Sequence, residues 1–165
     1  MSDDSPPVLP MLEVRRIEAR MLKHVYDVLK VSHGVEIATA TIADAVRASS
    51  IEQARAMAAE VGGRTSLSTF VERLKQWTMG GALEIEVKER TETTYRFDVT
   101  RCRYAEMYRD MGLGEIGHLL SCQRDGSFCE GYDTRLALTR TQTIMQGASH
   151  CDFHYRFEDD PETKS

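Results

Sequence analysis

Val14, Ile17, Met21, Val25 and Val28 step along the chain by three and four, the spacing that places side chains on one face of a helix, and they predict a helix over about 12–31, stopped at Ser32-His33-Gly34. Alanine-rich stretches over about 35–48 and about 50–61 read as two more helices. They divide at Ser49, which has capping-box spacing to Glu52, and Gly62-Gly63 ends the second. Thr69 and Glu72 repeat that spacing ahead of Phe70, Leu74 and Trp77, predicting a shorter helix closed by Gly80-Gly81.

Beyond Gly81 the period drops to two. Leu83, Ile85 and Val87 alternate with charged residues and, after a polar turn, so do Tyr95, Phe97 and Val99, which predicts an antiparallel hairpin. Residues 102–109 and 114–122 read as two short helices broken at Gly112, and 136–144 and 153–157 as two further strands. Helices followed by a β-β-α-α-β-β order predict an α+β fold, N-terminal helices packed with a C-terminal antiparallel sheet. The expected single domain spans 12–158, helical over 12–80 and sheet-forming over 81–158, with a flexible arm at 1–11 and an acidic tail at 159–165.

On the last long strand Leu136, Leu138, Arg140, Gln142 and Ile144 share one face. Turned inward, that face puts a cation and an amide into an apolar cavity, the composition of a small-molecule site. Turned outward, it is an ordinary polar strand end.

Composition narrows the partners. With 165 residues, 41% apolar and 28% charged, the chain suits one soluble domain, and its formal charge of −5 offers no positive field for nucleic acid. No stretch approaches the roughly 20 apolar residues of a membrane span, and the start of the chain is acidic and proline-broken rather than basic and apolar. The expectation is a cytoplasmic protein in which Cys102, Cys122, Cys129 and Cys151 are reduced thiols. The apolar face of the first helix could be buried in its own core or in a homo-oligomer.

Four blocks carry a more specific signal: Phe97-Asp98-Val99-Thr100-Arg101-Cys102-Arg103-Tyr104-Ala105-Glu106-Met107-Tyr108, Leu120-Ser121-Cys122-Gln123-Arg124-Asp125, Leu138-Thr139-Arg140-Thr141-Gln142-Thr143-Ile144-Met145 and Gly147-Ala148-Ser149-His150-Cys151-Asp152-Phe153. In this order they resemble the L-2-amino-thiazoline-4-carboxylic acid hydrolase family. The resemblance extends more faintly to Arg16-Ile17-Glu18-Ala19-Arg20, Trp77 and Gly80-Gly81-Ala82-Leu83-Glu84. It implies a hydrolase acting at a cyclic carbon–nitrogen bond, opening an aminothiazoline carboxylate to N-carbamoyl-cysteine on a bacterial route to cysteine. The chain departs from the family pattern at His154, where Arg is usual, and at Asp98, where Asn is common. More distantly, the Gly147-x3-Cys151-x-Phe153 ending is similar to a vinyl-reductase-type ligand-binding domain, which leaves a non-catalytic binding or thiol-sensing role as the competing reading.

Opening such a ring needs an attacking group, a proton donor for the departing atom and a counter-charge for the carboxylate. Cys102 starts a short helix between Arg101 and Arg103, a setting expected to favour thiolate. Cys122 and Asp125 share a helix face if the helix continues, and His150 flanks Cys151. The expected reaction centre is therefore Cys102, Cys122, Asp125, His150 and Cys151, with Arg103, Arg140 and His154 contacting the carboxylate and ring. Buried cysteines are also ordinary small core residues. No cofactor is required on this reading. Zinc held by Cys102, Cys122 and Cys151 is the alternative, although neither Cys-x-x-Cys nor His-Glu-x-x-His spacing occurs.

Overall fold

The computed structural model describes residues 7–158. Most of the expected arm and the whole acidic tail, at 1–6 and 159–165, lie outside the described residues. Helix α1 spans Met11–His33 and α2 spans Val35–Glu60. Gly34 alone separates them at φ 89°, a backbone region that a side chain with a Cβ rarely adopts.

The apolar stripe that predicted α1 does not face the core. Ile17, Met21 and Val28 are 55%, 67% and 66% exposed, whereas Leu12, Arg15, Ala19 and Tyr26 are buried. The inward face carries Arg15 and Ala19 between Leu12 and Tyr26 and packs against α2. Helix α2 is continuous where two helices were expected. Ser49, the expected cap, is exposed within the helix and ends nothing, and the neighbouring Ser50 is fully buried and donates its hydroxyl to the Arg124 carbonyl at 3.0 Å.

Helix α3, Leu67–Thr78, starts one turn earlier than expected. Ser66 caps it, accepting from the Thr69 N–H at 3.1 Å while Thr69 Oγ1 accepts from the Ser66 N–H at 2.9 Å. Gly80 and Gly81, both at positive φ, then turn the chain into strand β1.

Strands β1 (Leu83–Arg90) and β2 (Thr94–Cys102) form the predicted hairpin. Helix α4, Arg103–Asp110, follows directly. The next helical segment begins with a π-helical turn over His118–Cys122 and continues as α5 through Gln123–Tyr132, ten residues beyond the expected end. Strand β3 is only Leu136–Thr139, and β4 is Cys151–Phe157. The expected strand to residue 144 fails because Asp152 draws the chain aside. Its carboxylate accepts from the Thr141 and Gln142 amides at 2.9 and 3.0 Å and from the Thr141 hydroxyl at 2.5 Å.

The four strands lie in the order β1-β2-β4-β3, every pair antiparallel, so the fold is α+β with helices N-terminal to the sheet. The pairs Tyr95 with Tyr155, Phe97 with Phe153 and Val99 with Cys151 put aromatic and small residues on the inner face. Two apolar clusters result, one beneath α1, α2 and α4, the other between α3, α5 and the sheet. Trp77, Leu83, Cys102 and Ile144 touch both, and the seam they mark is where the interior opens.

Candidate functional site

At that seam lies a cavity of about 60 Å³, several times the roughly 10–15 Å³ needed for one water. Trp77, Leu83, Val99 and Phe153 supply apolar wall, and Cys102, Cys122, Cys151, Asp125, Arg140, Arg124 and Arg15 supply the chemistry. These groups come from α1, α5, the β2–α4 junction, the π turn, the start of β4 and the loop after β3, so no short motif contains the site.

Three thiols face one space, each held differently. Cys102 ends β2 and caps α4, its Sγ accepting from the Ala105 N–H at 3.4 Å. Cys151 Sγ accepts from the Ile144 N–H at 3.2 Å. Cys122 sits in the π turn. Burial raises all three: Cys102 to about 11, only partly offset by the Ala105 amide, Cys122 to about 12, with Asp125 adding to the rise, and Cys151 upward. The expected thiolate at Cys102 is thus overturned. Arg101 is spent on Glu106 at 2.8 Å and on Glu84 at 3.5 Å, and Arg103 reaches the Gly80 carbonyl at 3.3 Å, both at the surface. Desolvation of Cys102 therefore outweighs the Ala105 and Tyr104 amides, which act to lower its pKa. Cys129 lies elsewhere on α5, donating to the Asp125 carbonyl at 3.3 Å.

Asp125 and Arg140 form the cavity's central ion pair, Nη1 to Oδ2 at 2.6 Å, with 26% and 14% of their side chains exposed. Burial raises the Asp125 carboxyl, and Arg140, Arg15 and Arg124 oppose that rise. The π turn contributes backbone acceptors. Arg140 Nη2 donates to the Cys122 carbonyl at 2.9 Å and Arg124 Nε to the Leu120 carbonyl at 3.0 Å. A widened turn of this kind disturbs the regular i to i+4 bonding of a helix, and two guanidinium groups take up carbonyls there.

Glu18 joins α1 to the same layer, 2.9 Å from Arg15 Nη1 and 3.1 Å from Arg124 Nη2. Arg15 and Arg124 keep only 3% and 7% of their side chains exposed.

Five expected residues meet at the cavity or beside it as read: Cys102, Cys122, Cys151, Asp125 and Arg140. Three do not. His154 pairs across the sheet with Arg96 and Thr139, on the alternate residues that face away from Phe153 and Tyr155. His150 is 39% exposed and lies 4.0 Å from Asp98 on that outer side, consistent with its pointing opposite to Cys151. Arg103 is at the surface. Arg15 and Arg124 were missed. The available signal was the spacing Leu12, Arg15, Ala19, Leu22, Tyr26, a helical face with a cation set among residues that turn inward. Among the described residues, no three His, Cys, Asp or Glu side chains come close enough together to hold a metal ion.

The architecture is shared with other α+β domains. The phenol-responsive sensory domain of the transcription activator PoxR, solved with phenol, superposes with a TM-score of 0.54 at 10% identity, over 86% of this chain and 73% of that one. A trafficking protein particle complex subunit 3 from Naegleria fowleri, covalently bound to palmitic acid, superposes with a TM-score of 0.51 at 11% identity, over 88% of this chain and 96% of that one. At such identities the likeness concerns the fold. By sequence, the chain belongs to the L-2-amino-thiazoline-4-carboxylic acid hydrolase family, whose pattern matches residues 14–155. No curated protein matches it. Among the described residues, no helix is long and apolar enough to cross a membrane.

Proposed function

We propose that this protein is a hydrolase that opens a small cyclic isothiourea bearing a carboxylate, L-2-amino-thiazoline-4-carboxylate or a close ring analogue, to the N-carbamoyl thiol. The observation that carries this reading is the convergence of three thiols and the Asp125–Arg140 pair on one cavity. Family membership supports the same chemistry.

In the reaction, water adds to the ring carbon of the C=N unit and the bond from that carbon to the ring sulfur breaks. The sulfur takes a proton and leaves as a thiol, while both nitrogens remain on the carbon as the carbamoyl group. Because burial keeps the cysteines protonated, a cysteine that attacks first hands its proton to the substrate's amidine nitrogen, the stronger base, as the S–C bond forms. Ring sulfur then departs with a proton, and water releases the enzyme thiol. Asp125, raised by burial, is suited to carry the proton between these steps.

A ligand-binding role without turnover is the second reading, favoured by the raised pKa of all three thiols and by the ligand-bound state of the PoxR sensory domain. Incubation with L-2-amino-thiazoline-4-carboxylate, following ring loss and carbamoyl-cysteine by mass spectrometry, separates the two. Turnover that survives chelation of metals and is lost in one of Cys102→Ser, Cys122→Ser or Cys151→Ser supports thiol catalysis. Binding without turnover by folded protein overturns the hydrolase reading.

A further inference from the structure

Arg124 is 6% exposed, and its guanidinium is only partly satisfied. Nε donates to the Leu120 carbonyl and Nη2 to Glu18, at 3.0 and 3.1 Å, whereas Nη1 is the one buried side-chain nitrogen or oxygen without a partner among the described residues. A charged donor left unpaired in the interior is an expensive state, and folded proteins leave few of them. Arg124 lines the thiol cavity and also a second void of about 20 Å³, and Arg15, Trp77 and Asp125 border both spaces with it.

The charges around these spaces do not balance. Arg15, Arg124 and Arg140 face Glu18 and Asp125, so one guanidinium charge has no carboxylate of its own. The three thiols, held protonated by burial, do not supply the missing anion. Arg140 is already committed, Nη1 to Asp125 and Nη2 to the Cys122 carbonyl.

We propose that Arg124 is the anion receptor of this cavity, its free Nη1 donating to the carboxylate of the bound molecule. The carboxylate supplies both the missing acceptor and the missing negative charge. It replaces Arg103 and His154, which face solvent, as the determinant of acid-bearing ligands. With the acid held at the Arg15–Arg124 layer, the remainder of a small ring lies among Cys102, Cys122 and Cys151. That the anion is borne on a cleavable ring rests on the proposed function; the preference for an anion does not.

The test is equilibrium binding by calorimetry of thiazolidine-4-carboxylate, a saturated ring without the C=N bond to be hydrolysed, against its neutral carboxamide. Wild-type protein is expected to favour the carboxylate by about 10- to 100-fold, the range for a charge-assisted hydrogen bond. In folded Arg124→Gln that ratio is expected to fall to about one, and in Arg124→Lys to an intermediate value. Equal affinities in wild-type protein, no binding of either compound, or an unchanged ratio in Arg124→Gln would overturn the proposal. If Arg124→Gln fails to fold, Arg124→Lys carries the assignment to this residue, and equal affinities in wild-type protein still overturn it. A carboxylate preference together with no turnover of the aminothiazoline would leave the receptor standing and remove the hydrolase reading.

Discussion

Arg140, in the loop after β3, reaches Asp125 on α5 with Nη1 2.6 Å from Oδ2, and its other Nη closes on the carbonyl of Cys122. One side chain thus ties the sheet end of the chain to the helix that carries two cavity residues. Replacing Asp125 by Ala leaves this guanidinium largely buried opposite no carboxylate. The expected loss is about 3 kcal/mol of unfolding free energy in urea titration, with Asp125→Asn losing less because an acceptor remains.

The raised thiols predict slow chemistry in the ligand-free protein. With Cys102 near 11, roughly one molecule in ten thousand carries thiolate there at pH 7. Alkylation of native protein by iodoacetamide, mapped by peptide mass spectrometry, is expected to be slow at Cys102 and Cys122 at pH 7. It should rise about tenfold per pH unit toward pH 9. Rapid labelling of either at pH 7 would show an activated thiol in the empty site and contradict the burial argument.

Helix α5 lies so close to α2 at Gly131 that a Cβ there would stand 2.9 Å from Ala54 Cβ and closer still to the Ile51 carbonyl. Gly131→Ala gains helix propensity yet forces the two helices apart. We expect a net loss of about 1–3 kcal/mol by chemical denaturation. Because α5 carries Arg124 and Asp125, the same variant should weaken ligand binding.

Asp133 sets an acid limit on stability. Burial alone would raise its carboxyl, but the Arg135 side chain, the Thr65 hydroxyl and the Arg135 amide outweigh that and bring it to about 2. A carboxyl depressed in the folded state contributes its stability in full above the unfolded value of 3.8 and loses it as pH falls toward 2. Asp133→Asn should therefore melt below wild type at pH 6, by about 1 kcal/mol or less after solvent screening, and match it near pH 2.

The element types were legible because they rest on local periodicity. The hairpin of β1 and β2 followed from alternation alone, and the α+β order followed from where the period changes. Cys102, Cys122, Asp125, Arg140 and Cys151 were legible as residue types in recurring blocks, and Cys122 and Asp125 as neighbours on one helix face. Which face of a helix turns inward is a different matter, because it depends on what the other elements leave uncovered. Ile17, Met21 and Val28 make the stronger apolar stripe of α1, yet the face with Arg15 is the buried one.

The tertiary structure alone decided the remainder. Ser49, which would begin a helix in isolation, lies inside α2, where the neighbouring Ser50 finds its acceptor on α5. Asp152 ends a strand that alternation would have continued, because the Thr141 and Gln142 amides find a carboxylate before they find a neighbouring strand. Of the arginines beside Cys102 in sequence, Arg101 pairs with surface carboxylates and Arg103 reaches the Gly80 carbonyl, whereas the arginines that line the cavity come from residues 15, 124 and 140. Sequence fixes the character and local spacing of each group. Burial and electrostatic partnership arise between elements, and they set the protonation of the thiols and the unsatisfied charge of Arg124.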